Sequence, residues 1–185
     1  ISKMNIAGVA FTNLNEGINA SSAISARFLS ISDNNSFSSN KVGIVFKGGN
    51  LHKVLNNSFS CRYSNIPGGP QDLPGIGVYN AGASKTLFEE NTFSSGSNGI
   101  ITGSLGIVSE NTGSASRLHR KNIFTNIFRG DQTQMRNSGL NLWCNDYTNT
   151  TKAWAINIAS QGAGAFRAQG SCNSFKSLMP SNEFT

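Results

Sequence analysis

The sequence predicts an all-β chain wound into successive turns, and three observations lead there. A short phrase ending in an aromatic keeps returning: Asn35-Ser36-Phe37, Asn57-Ser58-Phe59, Asn91-Thr92-Phe93, Asn126-Ile127-Phe128, Asn145-Asp146-Tyr147 and Asn173-Ser174-Phe175. A second phrase, Gly before an aliphatic, falls between the copies as Gly17-Ile18, Gly43-Ile44, Gly75-Ile76, Gly99-Ile100 and Gly139-Leu140. The third observation is the palette: 13% of the residues are charged and 20 are Gly, which suits turns and opposes helices. Imperfect recurrence about every 20 to 35 residues is how a solenoid reads.

One rung shows the plan. Phe37, residues 42–46 and residues 51–55 form three short apolar runs separated by turn residues, before the next phrase opens at Asn57. Each run is too short for a helix, and the β-branched and aromatic residues favour strand. Three strands in about 22 residues is the measure of a right-handed parallel β-helix. Alternation then assigns the faces. Ile44 and Phe46 point in and Val45 out. Ile76 and Val78 point in and Tyr79 out. Leu140 and Leu142 point in and Trp143 out. The repeated Asn suits a bend, where stacked copies can hydrogen-bond along the axis, and the aromatic two residues later returns to the core. The expected ladder is Asn35, Phe37, Asn57, Phe59, Asn91, Phe93, Asn126, Phe128, Asn145 and Tyr147.

At 185 residues this is one domain's worth of chain. The expected layout is about six irregular coils with loop insertions: a degenerate first coil over 1–33, core coils over 34–150 and a last irregular coil over 151–185. Insertions are expected at 61–74, 102–121 and 131–138, on the binding side of the solenoid. The chain begins at Ile1, and neither end shows a cap. It therefore reads as a fragment of a longer protein, with more of its own chain or a partner covering the N-terminal end.

The net charge is +6, with one modest cluster at Arg117, His119, Arg120 and Lys121. There is no long basic run and no nucleic-acid recognition motif, so nucleic acid is not expected as a partner. No apolar run is long enough for a membrane span. Cys61, Cys144 and Cys172 lack metal-ligand spacing. Cys144 and Cys172 can pair if neighbouring coils bring them together; the other reading is buried free thiols.

The acids are Glu16, Asp33, Asp72, Glu89, Glu90, Glu110, Asp131, Asp146 and Glu183. None forms the paired carboxylates a glycoside hydrolase needs. Adjacent Glu89 and Glu90 point to opposite faces of a strand. The oxygen density that calcium requires is absent from the linear sequence. His52 and His119 have no acid partner in view and read as surface residues. No metal, cofactor or catalytic residue is expected. Val45, Tyr79, Ile101 and Trp143 are expected on one outer face, as a sugar-stacking surface or as a small core under a loop. Arg129 and Arg136 flank the loop beside Trp143, where an anionic glycan is one partner and solvent the other.

The central coils resemble the parallel β-helix repeat family of secreted bacterial proteins. The segment Gly139-Leu140-Asn141-Leu142-Trp143-Cys144-Asn145-Asp146-Tyr147-Thr148-Asn149, with Ala155-Ile156-Asn157-Ile158, Gln169-Gly170-Ser171 and Asn182-Glu183-Phe184, is similar to β-helix regions of large secreted and surface proteins of Bacteroidota. Those proteins often carry a tail for type IX secretion, and none is seen here. The resemblance implies an extracellular or cell-surface location and a fold, not an activity. The function expected is a non-catalytic segment acting as adhesin, stalk or glycan-contacting module. Its expected partners are polysaccharide or other surface and secretion proteins. The alternatives are a polysaccharide lyase or glycoside hydrolase with a site assembled across coils, and secretion cargo.

Overall fold

The computed structural model describes residues 3–22, 28–64, 72–96, 99–156, 165–166 and 174–176. The chain repeats a three-strand circuit. Strands β1 (Lys3–Ala7), β2 (Ala10–Thr12) and β3 (Glu16–Ser22) are followed by β4 (Phe28–Ser32), β5 (Ser36–Ser38) and β6 (Val42–Gly48). Next come β7 (Lys53–Leu55) and β8 (Ser58–Ser60), a small antiparallel pair β9 (Arg62–Tyr63) and β10 (Leu73–Pro74), and β11 (Ile76–Ala81). The circuit repeats through β12 (Leu87–Glu89), β13 (Thr92–Ser94) and β14 (Ile101–Glu110), then β15 (Arg117–Arg120), β16 (Ile123–Thr125) and β17 (Ile127–Gln134). It closes with β18 (Leu140–Trp143), β19 (Asp146–Thr148) and β20 (Lys152–Ile156), then β21 (Ala165–Phe166) and β22 (Ser174–Lys176).

Each strand hydrogen-bonds to its counterpart one circuit away. Sheet A is β1-β4-β7-β12-β15-β18-β21 and sheet B is β2-β5-β8-β13-β16-β19-β22. Sheet C is β3-β6-β11-β14-β17-β20. Every pairing within these three sheets is parallel. An all-β chain with long parallel sheets visited in turn is consistent with a parallel β-helix.

Side chains of one kind meet along the axis. In sheet B the rings of Phe11, Phe37, Phe59, Phe93, Phe124 and Tyr147 form a continuous stack, with centroids 4.8, 4.7, 4.8, 5.0 and 4.9 Å apart. That spacing follows from the strand separation and lets flat rings face one another. Across from them, Gly17, Gly43, Gly77, Gly106 and Gly130 form a column in sheet C, each with no room for a Cβ against the ring beside it. Ile18, Ile44, Val78 and Ile107 fill the next row.

The register differs from the sequence reading at one rung. Asn122 and Phe124 occupy the ladder, not Asn126 and Phe128. Phe128 lies at the start of β17, with the Arg129 guanidinium 5.1 Å from its ring centroid. The glycine column likewise runs through Gly77, Gly106 and Gly130 instead of Gly75, Gly99 and Gly139. Two expected insertions are largely strand: β14 takes up 101–110, and β17 reaches Gln134. The 61–74 insertion opens and closes with the β9–β10 pair. The second circuit begins at Phe28, within the stretch read as the first coil.

Several corners need a left-handed residue. The position before the ladder Asn has φ of 64° at Asn34, 54° at Asn56, 57° at Glu90, 54° at Lys121 and 56° at Cys144. Leu51, at another corner, has φ 61° and is 45% exposed. An L-residue pays for that conformation and glycine does not. Leu51→Gly is therefore expected to stabilise the fold by about 1 kcal/mol, read as a higher urea midpoint. An unchanged or lower midpoint counts against strain at this corner.

Candidate functional site

The ladder is the most extended polar feature of the described residues. Each Asn side chain accepts the backbone N–H of the corresponding residue one circuit earlier. Asn35 Oδ1 accepts from Val9 at 2.9 Å, and Asn57 Oδ1 from Asn35 at 3.1 Å. Asn91 then accepts from Asn57 at 3.0 Å, Asn122 from Asn91 at 3.1 Å and Asn145 from Asn122 at 3.0 Å. Each Nδ2 donates to a carbonyl of sheet A, such as Asn91 to Val54 at 2.8 Å. All five Asn side chains are buried, so the ladder satisfies corner donors that no strand partner reaches. Asn126 serves a different corner, donating to Gly96 O at 3.0 Å and accepting from Asn149 at 2.6 Å.

The structure disperses the expected ligand-binding residues. Tyr79 is in sheet C, in register with Val45 and Val108. Both valines are buried, so that row is not an open surface. The Tyr79 hydroxyl donates to the Glu110 carboxylate, and burial with that charge pushes the phenol up to about 12. Ile101 pairs with Ile127, outside the row. Trp143 is in sheet A, beside Arg120, and is 40% exposed. Arg129 donates to Gln132 at 2.7 Å in sheet C, and Arg136 is exposed in the loop after β17. Thus Trp143 and Tyr79 do not share a face.

Both histidines are buried, contrary to the sequence reading. His52 Nδ1 accepts from the Leu29 N–H at 3.1 Å, which leaves the proton on Nε2 to face Gly48 O at 3.3 Å. Burial holds this imidazole below its ordinary value of 6.5. The folded state thus prefers neutral His52, and the unfolded chain takes up the proton first. Its stabilising contribution is complete above the ordinary value and is lost as pH falls through the lower folded value. Urea midpoints are expected to fall between pH 7 and pH 5, with a shallower slope in His52→Gln; equal slopes would exclude His52 as the source.

His119 meets Asp131 and Tyr147 in the core between the three sheets. The Asp131 carboxylate accepts from His119 Nδ1–H at 2.7 Å and from the Tyr147 hydroxyl at 2.8 Å. All three side chains are at most 1% exposed. Burial, with Asp131 beside it, pushes the Tyr147 phenol well up. Arg117, also buried, donates to the carbonyls of Thr112 and Gly113, the latter at 2.8 Å, and desolvation brings its guanidinium down to about 10. The sequence carried a hint of this. Phe88 and Val54 fall three residues before a ladder Asn, and so does His119 once Asn122 is the ladder residue.

The remaining acids are mostly engaged singly. Glu89 meets Arg120 at 2.8 Å, Glu90 meets Lys121 at 3.1 Å and Asp72 meets Arg62 at 2.9 Å. Among the described residues no three His, Cys, Asp or Glu side chains gather to hold a metal, and no helix is long and apolar enough to cross a membrane. A cavity of about 450 Å³ lies at the first circuit, lined by Met4, Ile6, Ile18, Ala20, Phe28 and Leu29 among others. Cys61 is a buried free thiol, and desolvation drives its pKa far up. Cys144 is disulfide-bonded; Cys172 lies outside the described residues, as does Asn173-Ser174-Phe175 apart from its strand backbone. No protein-family model matches the chain, and no curated protein or solved structure shows significant similarity to it.

Proposed function

We propose that the chain is a non-catalytic segment of a secreted or cell-surface bacterial protein, wound as a right-handed parallel β-helix of about six coils. Its role is that of an adhesin, stalk or glycan-contacting module. The observation that carries this reading is the placement of the acids. Glu89, Glu90 and Asp72 sit in ion pairs, Glu110 holds a tyrosine hydroxyl, and Asp131 is sealed in the core. A glycosidase needs two carboxylates facing a substrate-sized gap, and these five are each committed to another partner. The disulfide at Cys144 supports an oxidising compartment. The Bacteroidota and type IX secretion reading rests on the resemblance of the last third alone.

The contact point for a glycan is Trp143. Its column in sheet A continues through Arg120 to Glu89, which already neutralise each other. That favours a neutral sugar ring stacked on the indole over an anionic one. The partner at the other end is the rest of the protein's own chain. Among the described residues, strands β1, β2 and β3 each end their sheet, and Met4, Val9 and Leu14 are exposed there.

A glycan-array screen of the chain beside Trp143→Ala tests the binding reading. Signal lost in the variant supports it, and equal signal removes Trp143 from the contact. Release of reducing or unsaturated sugars from plant and algal polysaccharides would replace the non-catalytic reading with the lyase or hydrolase one.

A further inference from the structure

We propose that the outer face of sheet B binds ice. Each strand of this sheet turns its middle ring into the core, so the residues on either side of the ring face out. The position after the ring is a hydroxyl in six successive circuits: Thr12, Ser38, Ser60, Ser94, Thr125 and Thr148. The position before it holds Ser36, Ser58 and Thr92, with Ala10 ahead of them and Ile123 after. From β2 to β16 neither row carries a charge. The other two faces do: Lys53, Glu89 and Arg120 stand on sheet A, and Lys47 and Glu110 on sheet C. Charge is thus kept off one face of three, where a protein surface is ordinarily about a third charged.

Flatness is the second observation, and it is independent of composition. Neighbouring rings in the stack beneath this face lie between 4° and 10° from parallel, whereas strands of an ordinary sheet turn by about 20 to 25° per step. The hydroxyl rows therefore run straight. They repeat at about 4.8 Å along the axis and about 6.6 Å along each strand. The oxygens on a face of ice recur in straight ranks at similar intervals. Thr12 and Ser38 already bond each other along the axis at 3.0 Å, as members of one rank do. Chemistry favours ice over a dissolved ligand. An exposed hydroxyl is bonded to water, so a sugar that displaces this water gains little per bond. Ice keeps the water. A straight rank holds its first waters near the places a crystal gives them, so joining the crystal costs them little further order. A charged side chain would orient its own water differently, and this face meets none before Asp146.

The test is partition into ice. A solution of the chain is frozen slowly onto a cold finger, and protein is measured in the ice and in the remaining liquid. The chain is expected to enter ice about tenfold more than a globular control protein. Thr92→Tyr and Ser58→Lys each put an oversized group at an exposed position of the face. Each is expected to lose most of that enrichment while keeping the parent's urea midpoint. If Thr92→Tyr lowers the midpoint, Ser58→Lys decides. Lys53→Tyr on sheet A and Trp143→Ala are expected to enter ice like the parent, which separates this face from the glycan contact. Exclusion of the parent from ice overturns the proposal and leaves the glycan-array result standing. Equal entry by the parent and both face variants overturns it as well. Retention on microcrystalline cellulose or chitin without entry into ice would give the face to a crystalline polysaccharide and overturn the assignment to ice.

Discussion

Gly106→Ala is expected to destabilise the chain by about 3 kcal/mol, the upper range for overpacking a filled core. A Cβ at this position would stand 2.5 Å from the Gly130 carbonyl oxygen and 2.5 Å from a carbon of the Phe124 ring. Neither neighbour has freedom to withdraw. The carbonyl belongs to β17, and moving it disturbs the ladder to β14. The ring is held between Phe93 at 5.0 Å and Tyr147 at 4.9 Å. The added methyl therefore acts on two columns together. The measurement is a urea unfolding midpoint beside Ser58→Ala, an exposed control expected to stay within about 0.5 kcal/mol of the parent. A Gly106→Ala midpoint equal to the parent's would mean that the columns have slack the geometry does not show.

This column also marks how far the sequence could be read. Period, strand content and the inward placement of Ile44 and Phe46 were legible, because they depend on local alternation and on a phrase repeated with each circuit. The glycines that face the rings were not. Gly77 and Gly106 stand before Val78 and Ile107, but competing Gly-aliphatic phrases lie close by at Gly75 and Gly99. Only contact with Phe93 or Phe124 separates them, and that contact is remote in sequence. The two Asn-Ile-Phe copies pose the same problem four residues apart. Gly103, Ser104, Gly106 and Ser109 dilute the strand pattern of β14, so that 102–121 reads as an insertion. The ten residues of β14 are held instead by ladders to β11 on one side and β17 on the other. His119 and Asp131 each look like surface groups alone, and their burial follows from meeting one another.

Asn91→Ala is expected to cost about 3 kcal/mol, while Asn126→Ala costs about 1 kcal/mol, although both residues open an Asn-x-Phe phrase. Asn91 is fully buried and its amide works in both directions along the axis. Its Oδ1 accepts from the Asn57 backbone N–H at 3.0 Å and from Asn57 Nδ2 at 3.2 Å. Its Nδ2 donates to Val54 O at 2.8 Å and to Asn122 Oδ1 at 3.1 Å. Truncation strands a buried N–H at one end and a buried carbonyl at the other, with no solvent to replace the lost partner. Asn126 joins a part-buried pair in which Gly96 O and Asn149 can turn to water. Urea midpoints measured side by side give the difference. A near-equal loss at the two positions would show that the Asn column contributes no more than an ordinary corner hydrogen bond. A loss at Asn91 several times larger would locate much of the cohesion between circuits in that single column, since each member there completes the bonding of the one before it.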